Sequence, residues 1–430
     1  MRTVGFCTLG CKVNQYETES LKELLIRHKY KVLDFDEVCD LYVINSCTVT
    51  AMADKKTRQT IARARRNNPD GVIALVGCMA ERLTDAEKKE IGVDIIVGNS
   101  DKNKLYDLVR ATTFKRNTEY MEDIMHCHTF TETPVTGRHS DRSRGYIKIQ
   151  DGCNRFCSYC IIPYVRGPVR SRSLDAIRLE AEALASNKIR EVILTGIQVG
   201  AYGDDLKDGS SLADAVEAAA APENILRVRL SSMEPNAITL EFLERLKKTG
   251  KFCEHFHLSL QSGCDKILKA MNRRYTTAEY LEKCELIRSV YPNAAITTDV
   301  IAGFPGETEE DFIETIEFLR KAKISKIHAF PYSPRIGTKA AEFPDQNTRA
   351  QKHERVRALT HLSNHLRNDF IKSQMHKPQT VYFEKYEDGY NYGYTSNYIY
   401  VRKKFSKSLV GKLKSMPLSD AIFYDENAEE

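Results

Sequence analysis

Three cysteines stand close together in Asp151-Gly152-Cys153-Asn154-Arg155-Phe156-Cys157-Ser158-Tyr159-Cys160, with three residues and then two between them. Cysteine thiolates are the usual ligands of iron–sulfur clusters, and a short loop with this spacing can wrap one corner of such a cube. Three thiolates hold three of four irons, so the fourth iron stays open to a cofactor or substrate. A structural zinc knuckle is the plainer alternative. Zinc wants a closed set of four ligands, usually in CxxC or HxxxH pairs, and this loop holds no fourth. A second set, Cys11, Cys47 and Cys78, is scattered through TLGCKVN, VINSC and LVGC.

The elements that must position these residues follow from hydrophobic patterning. Apolar runs at Thr3–Thr8, Tyr42–Asn45, Val72–Gly77 and Ile95–Val97 read as strands. Helical patterns at Asn14–His28, Thr50–Asn67, Thr84–Ile91 and Asp101–Arg110 alternate with them. The alternation predicts a small parallel sheet with helices on its faces. Ligands of such sheets gather beyond the carboxyl ends of the strands, which is where Cys11, Cys47 and Cys78 fall. A second metal or cluster site is the expectation, against the alternative of small buried apolar residues. Cys7 and Cys39, by contrast, read as core. The helix from Thr50 carries Lys55, Lys56, Arg58, Arg63, Arg65 and Arg66 against Asp54 alone. It is either a solvated face or a grip for nucleic-acid phosphates.

Residues 116–144 lose periodicity and read as a linker or a strand pair. His126, Cys127 and His128 are adjacent there, and in an extended chain their side chains would point to opposite faces, which argues against a metal triplet. From residue 145 strand and helix alternate again. Strands are expected at Tyr146–Gln150, Glu191–Thr195, Leu226–Leu230, His255–Leu260, Ala295–Ala302 and Lys326–Tyr332. Six strand–helix repeats suggest a (β/α) barrel that stops short of eight, open on one side for a bulky substrate. Several strands end in polar or glycine-rich turns, including Thr195-Gly196-Ile197-Gln198, Ser231-Ser232-Met233-Glu234-Pro235 and Ser259-Leu260-Gln261-Ser262-Gly263. Helical sequence from Gln346 to Gln374 follows. Beyond Pro378 the chain alternates with period two, at Thr380–Tyr386, Tyr390–Thr395 and Asn397–Val401, which predicts a small antiparallel barrel. Tyrosines beside the basic run Val401–Lys414 suit RNA stacking and phosphate contact, or a plain solvated sheet. The acidic tail Asp425–Glu430 is expected to be disordered.

The bulk numbers fit this outline. The 430 residues suffice for two or three domains. Sixty-four Lys and Arg against 59 Asp and Glu give +5, which permits nucleic-acid binding without requiring it. The opening MRTVGFCTLG lacks the pattern of a signal peptide, and no apolar run is long enough to span a membrane. Twelve cysteines then belong to a reducing compartment, where they serve metals or catalysis. The expectation is a cytoplasmic protein.

DGCNRFCSYCIIPYVRGPVRSR, Asp151–Arg172, resembles the cysteine loop of the radical S-adenosylmethionine methylthiotransferase family. TLGCKVNQYETES, VINSCTVT, LVGCMAER, VILTGIQVGAYG, HLSLQSGCDKILKAMNRRYT and AGFPGETEEDF resemble its other motifs, in the family's order. The third departs from the family at Met79, where an aromatic is more common, and at Glu81, where glutamine is. The resemblance implies an α/β fold in units: 1–125 with an auxiliary cluster, a linker at 126–144, a partial (β/α)6 radical barrel at 145–375, and a TRAM-like RNA-binding barrel at 376–430. It implies two 4Fe-4S clusters, about eight irons per chain. Cys153, Cys157 and Cys160 would hold the one whose open iron chelates S-adenosylmethionine, and electron transfer would release a 5′-deoxyadenosyl radical. Cys11, Cys47 and Cys78 would hold the auxiliary cluster, and a second S-adenosylmethionine would give the methyl group. By their placement Thr195, Gly196 and Gln198 would meet the methionine moiety, and Ser231, Glu234 and Gln261 its methionine or ribose groups.

The run VINSCTVTAMADKKTRQTIARAR most resembles the MtaB subgroup, which implies methylthiolation of carbon 2 of N6-threonylcarbamoyladenosine beside the tRNA anticodon. Enzymes acting on isopentenyladenosine usually carry Arg-Glu soon after the second cysteine, where this chain has Thr50 and Ala51. The alternatives are that substrate, a ribosomal-protein aspartate, or a non-enzymatic iron–sulfur sensor that binds RNA. Partners implied are tRNA and an electron donor such as flavodoxin or ferredoxin. Two sulfur sources stay open, the auxiliary cluster itself and an external persulfide.

Overall fold

The computed structural model describes residues 2–112, 118–137, 143–418 and 422–423. The expected tail Asp425–Glu430 and linker residues 138–142 lie outside the described residues. Near the N-terminus six parallel strands run in the order Lys31–Leu33, Thr3–Thr8, Leu41–Ser46, Val72–Gly77, Ile95–Val97, Thr118–Tyr120. The two edge strands escape sequence reading because each is short, carries polar residues and is partly exposed, whereas Ile95–Val97 is as short but wholly apolar and buried. All six residues of Leu41–Ser46 are buried, as expected of a parallel strand covered by helices on both faces. Cys39 is fully buried, and Cys7 packs against the same core.

The middle of the chain places six parallel strands in chain order: Arg144–Lys148, Glu191–Thr195, Arg227–Leu230, His255–His257, Ala295–Ala302 and Lys326–Pro331. Isolated parallel bridges Val228–Phe252 and Met233–Leu258 join the two halves. Among the described residues no pairing closes the first strand on the last, so the array is a curved, open one. Its helices start where the sequence supplies caps. Thr276 with Glu279, Thr308 with Asp311 and Thr348 with Gln351 form reciprocal capping boxes, which satisfy otherwise orphaned first-turn donors. One large apolar core lies between these helices and strands.

A 26-residue helix, Arg349–Gln374, leads into an antiparallel sheet. Its order is Leu413–Pro417, Pro378–Glu387, Tyr390–Thr395, Tyr400–Lys404, Ile422–Phe423. The third of these in sequence begins at Tyr400, not at Asn397. The reason is a side-chain-locked turn: Thr395 Oγ1 donates to Asn397 Oδ1 (2.6 Å) and accepts from the Ile399 amide (2.8 Å), and Tyr398 takes φ +64°. That turn docks on the central strands. Arg229 donates to the carbonyls of Thr395 (2.8 Å) and Ser396 (2.9 Å), and Arg227 to that of Tyr394 (2.9 Å). The connection before residue 138 is likewise tied down. Glu23 accepts from the amides of Thr136 and Gly137, while Glu180 accepts from that of Val135. Among the described residues no helix is long and apolar enough to cross a membrane.

Candidate functional site

Three neighbouring strands of the first sheet each deliver one cysteine at their carboxyl ends. Cys11 caps the helix Lys12–Arg27. Cys47 follows Leu41–Ser46, and Cys78 opens the short helix Cys78–Arg82 after Val72–Gly77. Asn14 ties two of these turns together, donating to the carbonyls of Leu9 (2.7 Å) and Ser46 (2.9 Å). Gly10 has φ +104°, and a Cβ there would lie 2.7 Å from that of Cys47, so a bare backbone is needed beside the thiol. Cys47 and Cys78 are buried. Cys11 is exposed on the wall of an open cavity, and burial by the surrounding protein still raises its thiol pKa. Burial, then the neighbouring Cys78, push Cys47 up to about 11.

The loop of Cys153, Cys157 and Cys160 is stapled at both ends. Gln150–Asp151 pairs antiparallel with Arg170–Ser171, and the Cys153 amide donates to the Gly167 carbonyl (3.0 Å). Ser158 donates through its amide to Met271 (3.1 Å) and through its hydroxyl to Ala270 (2.8 Å). Burial, with Cys157 close by, lifts Cys153 to about 11 and Cys160 to about 12. Metal binding at either triad must therefore release protons. Gly152 (φ +73°) sits where a Cβ would overlap the Pro168 carbonyl oxygen. Gly152→Ala is expected to force the loop off its staple and to lower iron in the reconstituted protein by about four per chain. Iron at the wild-type level would contradict that role.

One cavity of about 590 Å³ joins the two sets: Cys11 lies on its wall together with Cys153, Cys157 and Cys160. Thr195, Gly196, Gln198, Ser231, Glu234 and Gln261 all line it too. Both amide atoms of Gln198 and the Ser231 hydroxyl are buried there with no hydrogen-bond partner in the protein. Unsatisfied groups of this kind are costly unless a ligand meets them. Glu234 is held by Arg155 (2.7 Å) and Arg273 (3.1 Å). Arg273 also donates to Cys157 Sγ (3.3 Å). His126, by contrast, lies away from this cavity and bonds Asp123 (2.8 Å).

The donor sets discriminate between metals. A zinc ion gathers its ligands at about 2.3 Å and so holds them within about 4 Å of one another. Among the described residues only Cys264, Asp311 and Glu314 bring three such groups within 4.8 Å, and neither cysteine triad does. A cube offers each thiolate its own iron and makes no such demand. Two all-cysteine triads, one on the cavity wall and the other reaching it through Cys11, with unsatisfied polar groups between them, fit two clusters and a polar cofactor.

A buried ionic network, unanticipated from sequence, links the triads. Arg166, fully buried at the end of the helix Ile162–Arg166, donates Nε to Cys78 Sγ (3.2 Å) and also bonds Asn14 (2.8 Å). Its other nitrogens meet Glu17 (2.5 Å) and Asp151 (3.3 Å). Lys148 adds contacts to both acids (3.0 and 2.5 Å), and Lys102 a further one to Glu17. Burial opposes ionisation of Glu17, but Arg166, Lys102 and Lys148 overcome it and hold the carboxyl well below its ordinary range. The basic helix is only partly free. Arg58, Arg63 and Arg65 pair with Glu87, Asp36 and Asp94.

Known proteins resemble this chain in sequence and in fold. Residues 147–319 match the radical SAM superfamily, and residues 3–98 match an uncharacterized protein family, UPF0004. The chain is 40% identical to the threonylcarbamoyladenosine tRNA methylthiotransferase MtaB of Bacillus subtilis, over 99% of this chain and 96% of that one. It is 34% identical to the tRNA-2-methylthio-N(6)-dimethylallyladenosine synthase of Pseudothermotoga lettingae, over 91% and 90%. The radical S-adenosylmethionine methyltransferase TsrM of Kitasatospora setae superposes with TM-score 0.58 at 18% identity, covering 79% of this chain and 77% of that one, a likeness of fold. With both cysteine triads in place and relatives matched nearly end to end, the chain belongs to the radical S-adenosylmethionine tRNA methylthiotransferase family.

Proposed function

We propose that this protein is a cytoplasmic enzyme that replaces the hydrogen on carbon 2 of N6-threonylcarbamoyladenosine in tRNA with a methylthio group. The observation that carries the reading is the single cavity walled by Cys153, Cys157 and Cys160 and by Cys11 of the other triad, since the transfer needs a radical source and a sulfur source within reach of one carbon. The identity of 40% to a relative named for threonylcarbamoyladenosine, against 34% to one named for dimethylallyladenosine, supports the substrate.

In this reading Cys153, Cys157 and Cys160 hold the cluster that binds S-adenosylmethionine, and Cys11, Cys47 and Cys78 hold the auxiliary one. When bound, these groups supply the radical that removes a hydrogen atom, the sulfur and the methyl group. The chain supplies position and charge. Thr195, Gly196 and Gln198 receive the methionine end, and the free Ser231 hydroxyl, Glu234 and Gln261 its polar groups. Arg155 and Arg273 fix the Glu234 carboxylate in place. Arg166 sets a buried positive charge against the Cys78 sulfur. The units at 1–125, 145–375 and 376–430 then divide the work into sulfur donation, radical generation and RNA grip. The TRAM-like role of the last rests on its sheet and on the basic strand Tyr400–Lys404. Electrons come from a donor such as flavodoxin or ferredoxin.

The test is reconstituted protein with S-adenosylmethionine, reductant and tRNA bearing threonylcarbamoyladenosine. Mass spectrometry of the digested tRNA should show the methylthio nucleoside. An unchanged nucleoside with both clusters loaded sinks the reading. A ribosomal protein gaining the group in its place would move the enzyme to another substrate.

A further inference from the structure

Parallel strands buried on both faces ordinarily run continuously apolar. Here the inward-facing positions alternate out as polar: His255 and His257, Thr297 and Asp299, Lys326 and His328. They enclose a second recess, of about 400 Å³, inside the open array. The turn with Tyr394 and Tyr398 forms part of its wall, and Lys12, Ser232 and Asp299 belong to both this recess and the cluster cavity. The two spaces therefore meet one residue away from Cys11.

We propose that this recess is the subsite for the carboxylate-bearing substituent on the adenine N6, with Lys12 and Arg367 as its anion-binding groups. The assignment rests on the function proposed above and deepens it. Among the described residues neither the Lys12 ammonium nor the Arg367 guanidinium has a hydrogen bond or ion pair, while Arg229 nearby is committed to Glu191 (2.8 Å) and to carbonyls. Asp299 is the one carboxylate on the wall, and it is engaged by His257 (3.1 Å). Lys12 lies within electrostatic reach of His255, Asp299, His328 and Tyr398, so its charge is directed into the recess. Burial first, then the neighbouring His257, brings His328 down to about 4, and burial, then Arg229, lowers His255 well below its ordinary range. Both imidazoles are then neutral near pH 7 and add no charge; His255 Nε2 is already bonded to the Thr297 hydroxyl (3.0 Å), which leaves its other nitrogen and His328 to meet a hydroxyl and a carbonyl. A threonylcarbamoyl group presents that set: one carboxylate, one hydroxyl and a urea. Geometry agrees, because carbon 2 and the N6 substituent flank N1 on one edge of the ring. With carbon 2 in the cluster cavity, the substituent points across the shared wall. A backbone phosphate is also anionic, but it belongs on an outer surface, and this recess lies between inward faces of strands and aromatic side chains.

The experiment uses anticodon stem-loop RNAs bearing threonylcarbamoyladenosine, its methyl ester or plain adenosine, with the reconstituted enzyme and fluorescence anisotropy. A hydrogen-bonded charge pair predicts that the acid binds about tenfold or more tighter than the ester. Lys12→Gln and Arg367→Gln should each erase most of that preference and leave affinity for the ester unchanged. Equal binding of acid and ester by the wild type overturns the proposal. So does uniform weakening of all three RNAs in both variants, which would place a phosphate there. Modification of acid and ester stem-loops at equal rates defeats this inference alone. Failure to modify either one, with isopentenyladenosine RNA accepted, defeats the functional reading instead.

Discussion

Replacing Cys157 by alanine is expected to abolish reductive cleavage of S-adenosylmethionine, whereas Cys47→Ala should leave cleavage intact and stop methylthiolation. The two thiols share no segment of chain. Cys157 lies in the stapled loop with Arg273 donating to its sulfur at 3.3 Å, and Cys47 lies in a turn of the N-terminal sheet. Loss of one ligand from three leaves a cluster without the cage that holds it, so each variant should lose one function outright. Chromatography of 5′-deoxyadenosine reads the first activity, and mass spectrometry of the nucleoside reads the second. Undiminished cleavage by Cys157→Ala removes that loop as the radical source. Cleavage lost equally in both variants would mean that the triads are not separable, and the assignment of roles would fall.

Glu17→Gln should be the most damaging single change outside the cysteines. Glu17 is 4% exposed and faces Lys102, Lys148 and Arg166, themselves buried. Removing one partner from a buried ionic set leaves uncompensated charge and costs about 3–5 kcal/mol. For a chain of this size that lowers the first thermal transition by several degrees. A shift within one degree would show that the network is dispensable. The pH dependence has a definite sign. Glu17 is depressed in the folded protein, so its contribution is complete above the unfolded carboxylate value of about 4.3 and is lost as pH falls through the folded value. The gap between wild type and Glu17→Gln should accordingly narrow on acidification. Because Glu17 also anchors Arg166 against Cys78, the variant should load fewer irons as well.

Both parallel arrays were legible in the sequence because apolar runs alternate with helical patterns; Cys11, Cys47 and Cys78 followed from where those runs end, and Cys153, Cys157 and Cys160 from their spacing in one loop. The edge strands Lys31–Leu33 and Thr118–Tyr120 were not, because their polar, partly exposed residues form no apolar run such as the equally short Ile95–Val97 shows. Arg166 and Glu17 were missed for a different reason. Glu17 is an ordinary charged residue in a helical pattern and Arg166 one of several arginines after the cysteine loop, and only tertiary contact over 149 positions makes them partners. The polar recess did leave a signal: His255-Phe256-His257 and Lys326-Ile327-His328 alternate where a buried parallel strand should not. Reading that alternation as a wet interior would have found it. The start of the strand at Tyr400 was hidden because Asn397 and Tyr398 fit an alternating pattern while Thr395 and Asn397 lock a turn.

Arg166 stands six residues after Cys160 and has no exposed surface, while the Cys78 it covers is 4% exposed. Of its triad, Cys11 alone opens onto the common cavity. The two thiols therefore differ in access. A group arriving from solvent can approach Cys11 through the cavity mouth, but Cys78 is reachable only while the segment bearing Arg166 is undocked. Once that guanidinium seats on Glu17 and Asn14, the Cys78 sulfur is sealed, and any later exchange at it requires the interface to open again.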